Sequence, residues 1–243
     1  MKVEIHENDE RGYFNQKWIK SYFSFSYADY HNHKRPGFWK LLVLNEDQIN
    51  TNEWFPARPH KNMEIISIPL EWELHHKDSL WNNEKIKKWS VQTISAWSGI
   101  SHSEVNNNKD DPLHILHIWI ESENHNGIPL YQQQKYFKKD RINSWQTLVS
   151  WDKKDECNFI YQDAYISRIA LSTKETIPYK KRNNSNGVYF FVIDWNVKIW
   201  DNTLNTNDAA WINTDDKKIN ISLKWKSADI LAIEVPMQLK HRI

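Results

Sequence analysis

The 243-residue chain carries a single cysteine, Cys157. One thiol excludes a disulfide framework and a thiolate metal cluster. Neither sign of charge prevails: Lys plus Arg number 32 and Asp plus Glu 31, for a formal net charge of +1. That balance lacks the basic footprint of a nucleic-acid or anionic-membrane binder. No apolar run approaches a membrane span, and the opening MKVEIHENDERGYF lacks the apolar core of a secretion signal. A cytoplasmic protein with no membrane partner and no direct nucleic-acid partner is expected. P-loop, G-x-G-x-x-G and Ser-His-Asp patterns are missing too. Glycine is also scarce, with five residues where an average share is roughly 7%. Tryptophan, usually rare, occurs fourteen times.

The chain does have strand periodicity. Phe23, Phe25 and Tyr27 alternate with Ser24 and Ser26, the period of a half-buried strand. A turn at Pro36-Gly37 leads into a buried strand over 41–44, and the polar stretch 45–53 reads as a loop. Residues 63–76 form a long strand or a strand pair, with Pro69 marking an edge or a bulge. Further strands fall at 91–96 and 113–120. In the second, Leu116, Ile118 and Ile120 share one face, and Ile115, His117 and Trp119 share the other. Residues 121–145 read as a connection, with one helical piece near 130–139. A second run of strands follows at 159–171, 188–193, 197–200, 219–223 and 230–235. Short strands at this spacing, without long helical periods, predict an all-β chain of two domains, 1–135 and 136–243.

Most of the candidate chemistry lies between Phe55 and Asn106. Arg58-Pro59-His60 stands at one end and His102-Ser103-Glu104 at the other. Residues two apart on a strand share a face. If both faces line one cavity, two imidazoles, a carboxylate and a guanidinium converge there. Two His and a carboxylate are the donors of a mononuclear metal site, whereas a guanidinium cannot ligate a cation. His114 and His117, three apart, point to opposite faces as hydrogen-bonded structural residues.

The segments NMEIISIPLEWELHHKDSL and VQTISAWSGISHSE resemble the pirin family, bicupins that include quercetin 2,3-dioxygenase-type enzymes. YQDAYISRIAL, VYFFVIDWNVKI and ADILAIEVP are similar to strands of that family's second cupin domain. DYHNHKRPG and HHKDS also resemble segments of the family, which implies a solvent-exposed loop for His31 and His33 and a turn or supporting position for His75 and His76. The resemblance implies two stacked antiparallel β-barrels of the cupin (jelly-roll) type with little helix, and one metal site, in the first. His60, His102 and Glu104 match the second to fourth ligands of a divalent ion (Fe, Zn, Ni, Mn or Cu), with Glu104 also a candidate catalytic base. The first ligand position holds Arg58. Three arrangements are open: the three remaining donors hold the ion, Arg58 folds in and pairs with Glu104 in place of metal, or Arg58 points out and another donor such as His75 fills in. The implied activity is dioxygenation of a flavonol-like or other enolic small molecule. The alternative is a catalytically silent regulator that binds a small molecule or a protein. A monomer is expected.

Against the family pattern, Trp39, Trp54, Trp72, Trp81, Trp89, Trp97 and Trp195 fall where glycine is usual, whereas Trp18 and Trp119 match family tryptophans. Glycine serves such corners because it alone takes positive φ without a steric penalty. Either these codons are UGA triplets read as glycine in the source lineage, or the turns are reshaped. In the second case Trp97 lines and crowds the pocket and Trp54 stands at its entrance.

Overall fold

The computed structural model describes residues 2–123 and 127–237 and consists almost wholly of β-strands. Residues 124–126, part of the predicted connection, lie outside the described residues. The only helical pieces among the described residues are two 3-10 turns, Asn8–Glu10 and Lys138–Arg141. Residues 130–135, where a helical piece was expected, form a strand instead. Its backbone pairs with Ser90–Ser95, and that pairing outweighs a local helical preference.

The first domain has two sheets. The seven-stranded sheet runs in the order Leu130–Lys135, Ser90–Ser95, Met63–Glu71, Leu113–Glu121, Leu41–Ile49, Ile19–Phe23, Gly12–Gln16. The four-stranded sheet runs Trp54–His60, Ile100–Val105, Glu73–Asp78, Asn83–Lys87. A nine-stranded sheet makes the second domain, centred on two long strands, Asn186–Ile199 and Lys218–Pro236. Two all-β domains are present, as expected, but their sheets are open rather than closed barrels. The N-terminal strand Lys2–His6 crosses over and pairs with Ala209–Asn213 in the second sheet, which the sequence pattern did not reveal.

Leu113–Glu121 is central to the first domain and is buried on both faces, as its sequence suggests. Leu116, Ile118 and Ile120 join Phe38, Leu44, Tyr189, Phe191 and Leu231 in an apolar core between the two domains. Ile115 packs in a second cluster with Ile19, Ile49 and Leu74, inside the first domain. Trp119 packs against a third, with Ile65, Ile94 and Ile100. The stretch 63–76 is a strand pair, and Pro69 sits beside a register shift between His114 and Ile115 of the neighbouring strand. The polar run 45–49 is strand rather than loop: Leu41–Ile49 is continuous, with Asn45, Glu46 and Asp47 all buried. Buried charge survives there because each carboxylate has a cationic partner, which a hydropathy pattern cannot show.

Trp39, Trp72, Trp81, Trp97 and Trp195 adopt φ of 55°, 65°, 71°, 33° and 64°. Trp200, which the family pattern did not single out, joins them at 48°. Trp54 and Trp89 are not at positive φ. An L side chain in this region costs of order 1–2 kcal/mol. Trp81, at 93% exposure, recovers almost none of that by burial. Trp81→Gly is therefore expected to raise the unfolding free energy by about 1 kcal/mol in urea titration. Trp18→Gly, which removes a ring packed edge-on against Phe55, is expected to lower it.

Candidate functional site

Pairing between Trp54–His60 and Ile100–Val105 brings the two sequence pairs together. His102 lies opposite Arg58, and Ile100 opposite His60. A register shift between His102 and Glu104 sets Glu104 against Phe55. The irregularity adds a residue to the first strand, so Phe55 and Arg58, three apart, reach the same side. The Arg58 guanidinium then lies over the Phe55 ring, 4.4 Å from its centroid.

Phe55, Arg58, His102 and Glu104, but not His60, border a cavity of about 540 Å³ in the first domain. Its walls are aromatic, including Trp18, Phe23, Tyr27, Tyr30, Phe55 and Trp119, and its polar groups include Asp29, Asp47, Arg58, His102, Glu104 and His117. Trp97 and Trp54, expected at the pocket and its entrance, do not line it. Trp97 instead packs against Tyr161 with centroids 3.7 Å apart, closer than aromatic pairs normally approach. A Cβ at Gly127 would fall within its indole.

The rings of His60 and His102 stack at 4.8 Å with 21° between planes. His76 lies 5.5 Å beyond His102 and bonds Asp78 at 2.9 Å, the supporting position its sequence suggested. His75 is taken up by Asn83 and Asn107, away from the site. His31 and His33 are exposed.

Glu104 is buried, at 1% exposure. Its Oε1 accepts a hydrogen bond from Ser67 at 3.1 Å. Its Oε2 lies 3.0 Å from His117 Nε2, an ion pair in which the N–H is not well aligned. His117 Nδ1 lies 2.6 Å from Asp47 Oδ2. Sequence reasoning counted His117 as structural and placed Asp47 in a loop. The available signal was its shared face with Trp119, which pointed it into the cavity. His114, on the opposite face, pairs with Glu46 as a structural residue.

The electrostatics follow from this chain of contacts. Burial alone would lower the His117 pKa. The Glu104 charge and then the Asp47 hydrogen bond outweigh it and push the imidazole up to about 10. Burial alone would raise Glu104, but the His117 charge, helped by His102 and Arg58, holds it well below the usual carboxylate range. Burial takes His102 down to about 4 and also lowers His60, with Arg58 adding to the shift in both. Cys157 is pushed up to about 12 by burial, as suits a packed, unreactive thiol.

The donor set does not fit a cation as arranged. A bound imidazole aims its in-plane lone pair at the metal, and two nearly parallel stacked rings aim side by side. Both Glu104 oxygens are engaged within the protein. Arg58 adds a fixed positive charge. Among the described residues no group of three or more His, Cys, Asp or Glu is placed to hold a metal ion. The feature favouring one is that His60 Nε2 and His102 Nδ1 are buried without hydrogen-bond partners. The Arg58–Glu104 pair, the second of the three arrangements the sequence leaves open, is not made either. His117 is the ion-pair partner of Glu104, and Arg58 Nη1 reaches only the Tyr27 hydroxyl, at 3.5 Å.

The family model described as Pirin matches residues 5–120, and the quercetinase C-terminal cupin domain matches 147–235. A quercetin 2,3-dioxygenase of Escherichia coli K12 is 31% identical over 236 residues, 96% of this chain and 99% of its own. A pirin-like protein of Caulobacter vibrioides is 32% identical over 215 residues, 88% of this chain and 91% of its own. The E. coli bacterial pirin YhhW, solved in complex with nickel(II), superposes with a TM-score of 0.89 at 31% identity, over 97% of this chain and 99% of its own.

Losing one partner of a buried ion pair typically costs about 3–5 kcal/mol. His117→Gln is expected to destabilise by about 3 kcal/mol, and by much less when Glu104→Gln is already present. The pH dependence has a definite sign. His117 is raised in the folded state, so its contribution is complete below its ordinary value of 6.5 and is lost as pH climbs toward about 10. Glu104 is lowered, so its contribution is present above 4.5 and is lost on acidification. The stability gap between wild type and His117→Gln, followed by urea unfolding, should be widest near pH 5–6.5 and close toward pH 10.

Proposed function

Because the chain belongs to the pirin family, we propose that its N-terminal cavity binds a planar enolic or phenolic small molecule of flavonol type, with the Glu104–His117 ion pair standing in place of a metal centre. The observation that carries this reading is the engagement of Glu104 by His117 and Ser67, beside a guanidinium at the first ligand position. The cavity supports it by size, since ligand pockets commonly span roughly 300–1,000 Å³, and by its aromatic walls. The protein then acts as a small-molecule-binding, cytoplasmic member of the family, a regulator rather than a metal-dependent catalyst.

A second reading is favoured by the two unpartnered ring nitrogens and by the quercetin dioxygenase among its relatives. In it, His60, His102 and Glu104 hold a divalent ion, and the protein is a quercetin 2,3-dioxygenase-type oxidoreductase. Glu104 would first have to leave His117, exposing a buried charge.

Elemental analysis separates the two. After incubation with nickel(II) or iron(II) and gel filtration, wild-type protein is expected to carry far less than stoichiometric metal. Arg58→His, alone or combined with His117→Gln, is expected to carry close to stoichiometric metal. Wild-type protein that retains a full equivalent and turns over quercetin would establish the second reading.

A further inference from the structure

Arg58 differs from most arginines of the described chain in lacking a carboxylate partner, a lack it shares with Arg141. Unpartnered guanidinium nitrogens occur in Arg11, Arg35 and Arg141 as well as in Arg58. Arg11 pairs with Glu46, Arg35 with Glu10, Arg168 with Asp229 through two hydrogen bonds, and Arg182 with Asp155. Arg141 donates to the Tyr136 carbonyl. Arg58 has no carboxylate within ion-pair distance and one long contact to Tyr27, and its buried Nε has no partner. It is nonetheless held in place, stacked on Phe55 at the cavity wall. A guanidinium is always charged and presents its donors as a planar fork. A positioned fork with unused donors, facing an aromatic-walled cavity, is a recognition element awaiting acceptors.

We propose that Arg58, with the Tyr27 hydroxyl beside it, reads a pair of adjacent oxygens on the edge of a planar ligand, such as the hydroxy-keto edge of an α-hydroxy enone. This rests on the small-molecule reading of the cavity and names its specificity residue. A vicinal oxygen pair matches the two parallel N–H donors of a guanidinium as a carboxylate does. The Asp29, Asp47 and Glu104 carboxylates share the cavity, but Glu104 and Asp47 are engaged by His117, so they leave the fork unpaired.

The test compares 3-hydroxyflavone, which has the oxygen pair, with flavone, which lacks the hydroxyl. Binding is read from quenching of tryptophan fluorescence, since Trp18 and Trp119 line the cavity. Wild type is expected to prefer 3-hydroxyflavone by about tenfold, the scale of one charge-assisted hydrogen bond. Arg58→Gln and Arg58→Lys should lose the preference, binding the two probes about equally, with circular dichroism and urea unfolding matching wild type to show that the variants are folded. Equal binding of both probes to wild type, or a preference that survives Arg58→Gln, overturns the assignment while leaving the cavity reading intact. Failure of both probes to bind wild type removes the cavity reading and this inference together.

The backbone carries a second inference independently. Among the described residues eleven non-glycine residues have positive φ: four are asparagines, which tolerate the left-handed region, one is Ala28, and six are tryptophans. Among the described residues one glycine, Gly99, has positive φ. Trp39, Trp72 and Trp195 are about half exposed and Trp81 almost wholly so, and Trp97 collides with Gly127. By contrast Trp18, Trp119, Trp145 and Trp211 avoid positive φ and pack against aromatic neighbours. We infer that residues 39, 72, 81, 97, 195 and 200 are glycine in the native protein, encoded by UGA in a code that reads it as glycine. The coding DNA should show UGA at these six codons and UGG at 18, 119, 145 and 211. UGG at the six overturns the inference.

Discussion

The Glu104 carboxylate and the His117 imidazolium meet across the gap between the two sheets of the first domain, and the character of the cavity depends on that contact. Glu104 comes from the four-stranded sheet and His117 from the seven-stranded one. Neither charge would be tolerable alone at this depth. Ser67 takes the second oxygen of Glu104, and Asp47 takes the other nitrogen of His117. The result is a carboxylate–imidazolium–carboxylate array that satisfies most of its members from within the chain. A buried charge that is satisfied internally has little reason to bind a cation.

Arg58 has the complementary problem. Its partner strand offers His102 rather than an acid, and the Glu104 and Asp47 carboxylates of the cavity are already taken by His117. Stacking on Phe55 fixes the guanidinium without using its donors. The family's metal-type pocket has thus become one with a fixed positive fork at its wall and neutral, stacked imidazoles behind it. On the proposed reading, the same scaffold recognises oxygen atoms by hydrogen bonding rather than by coordination. Interdomain packing of Leu116, Ile118 and Ile120 against Tyr189 and Leu231 holds rigid the strand that carries His117.

Much of this was legible in the sequence. The alternation across residues 113–120 gave both faces of the central strand, and the spacing of Arg58, His102 and Glu104 fits three residues of the cavity wall, whereas His60 packs against His102 outside its lining. The burial of Asp47 was not legible, because a run such as Asn45-Glu46-Asp47 looks solvated until its partners, dozens of residues away, are known. The pairing of His117 with Glu104 escaped for the same reason: it joins two sheets. The crossing of Lys2–His6 into the second domain is a long-range pairing with no local signature. The tryptophan anomaly was visible as misplaced glycine positions, but only backbone angles separated Trp54 and Trp89 from the rest and added Trp200.

The protonation state of His117 tests the central claim most directly. Nitrogen-15 NMR of the imidazole at neutral pH should show both ring nitrogens protonated, with signals unmoved by added nickel(II). A neutral His117 ring, or signals displaced by the metal as Glu104 is drawn away, would contradict an internal ion pair in the place of a metal centre.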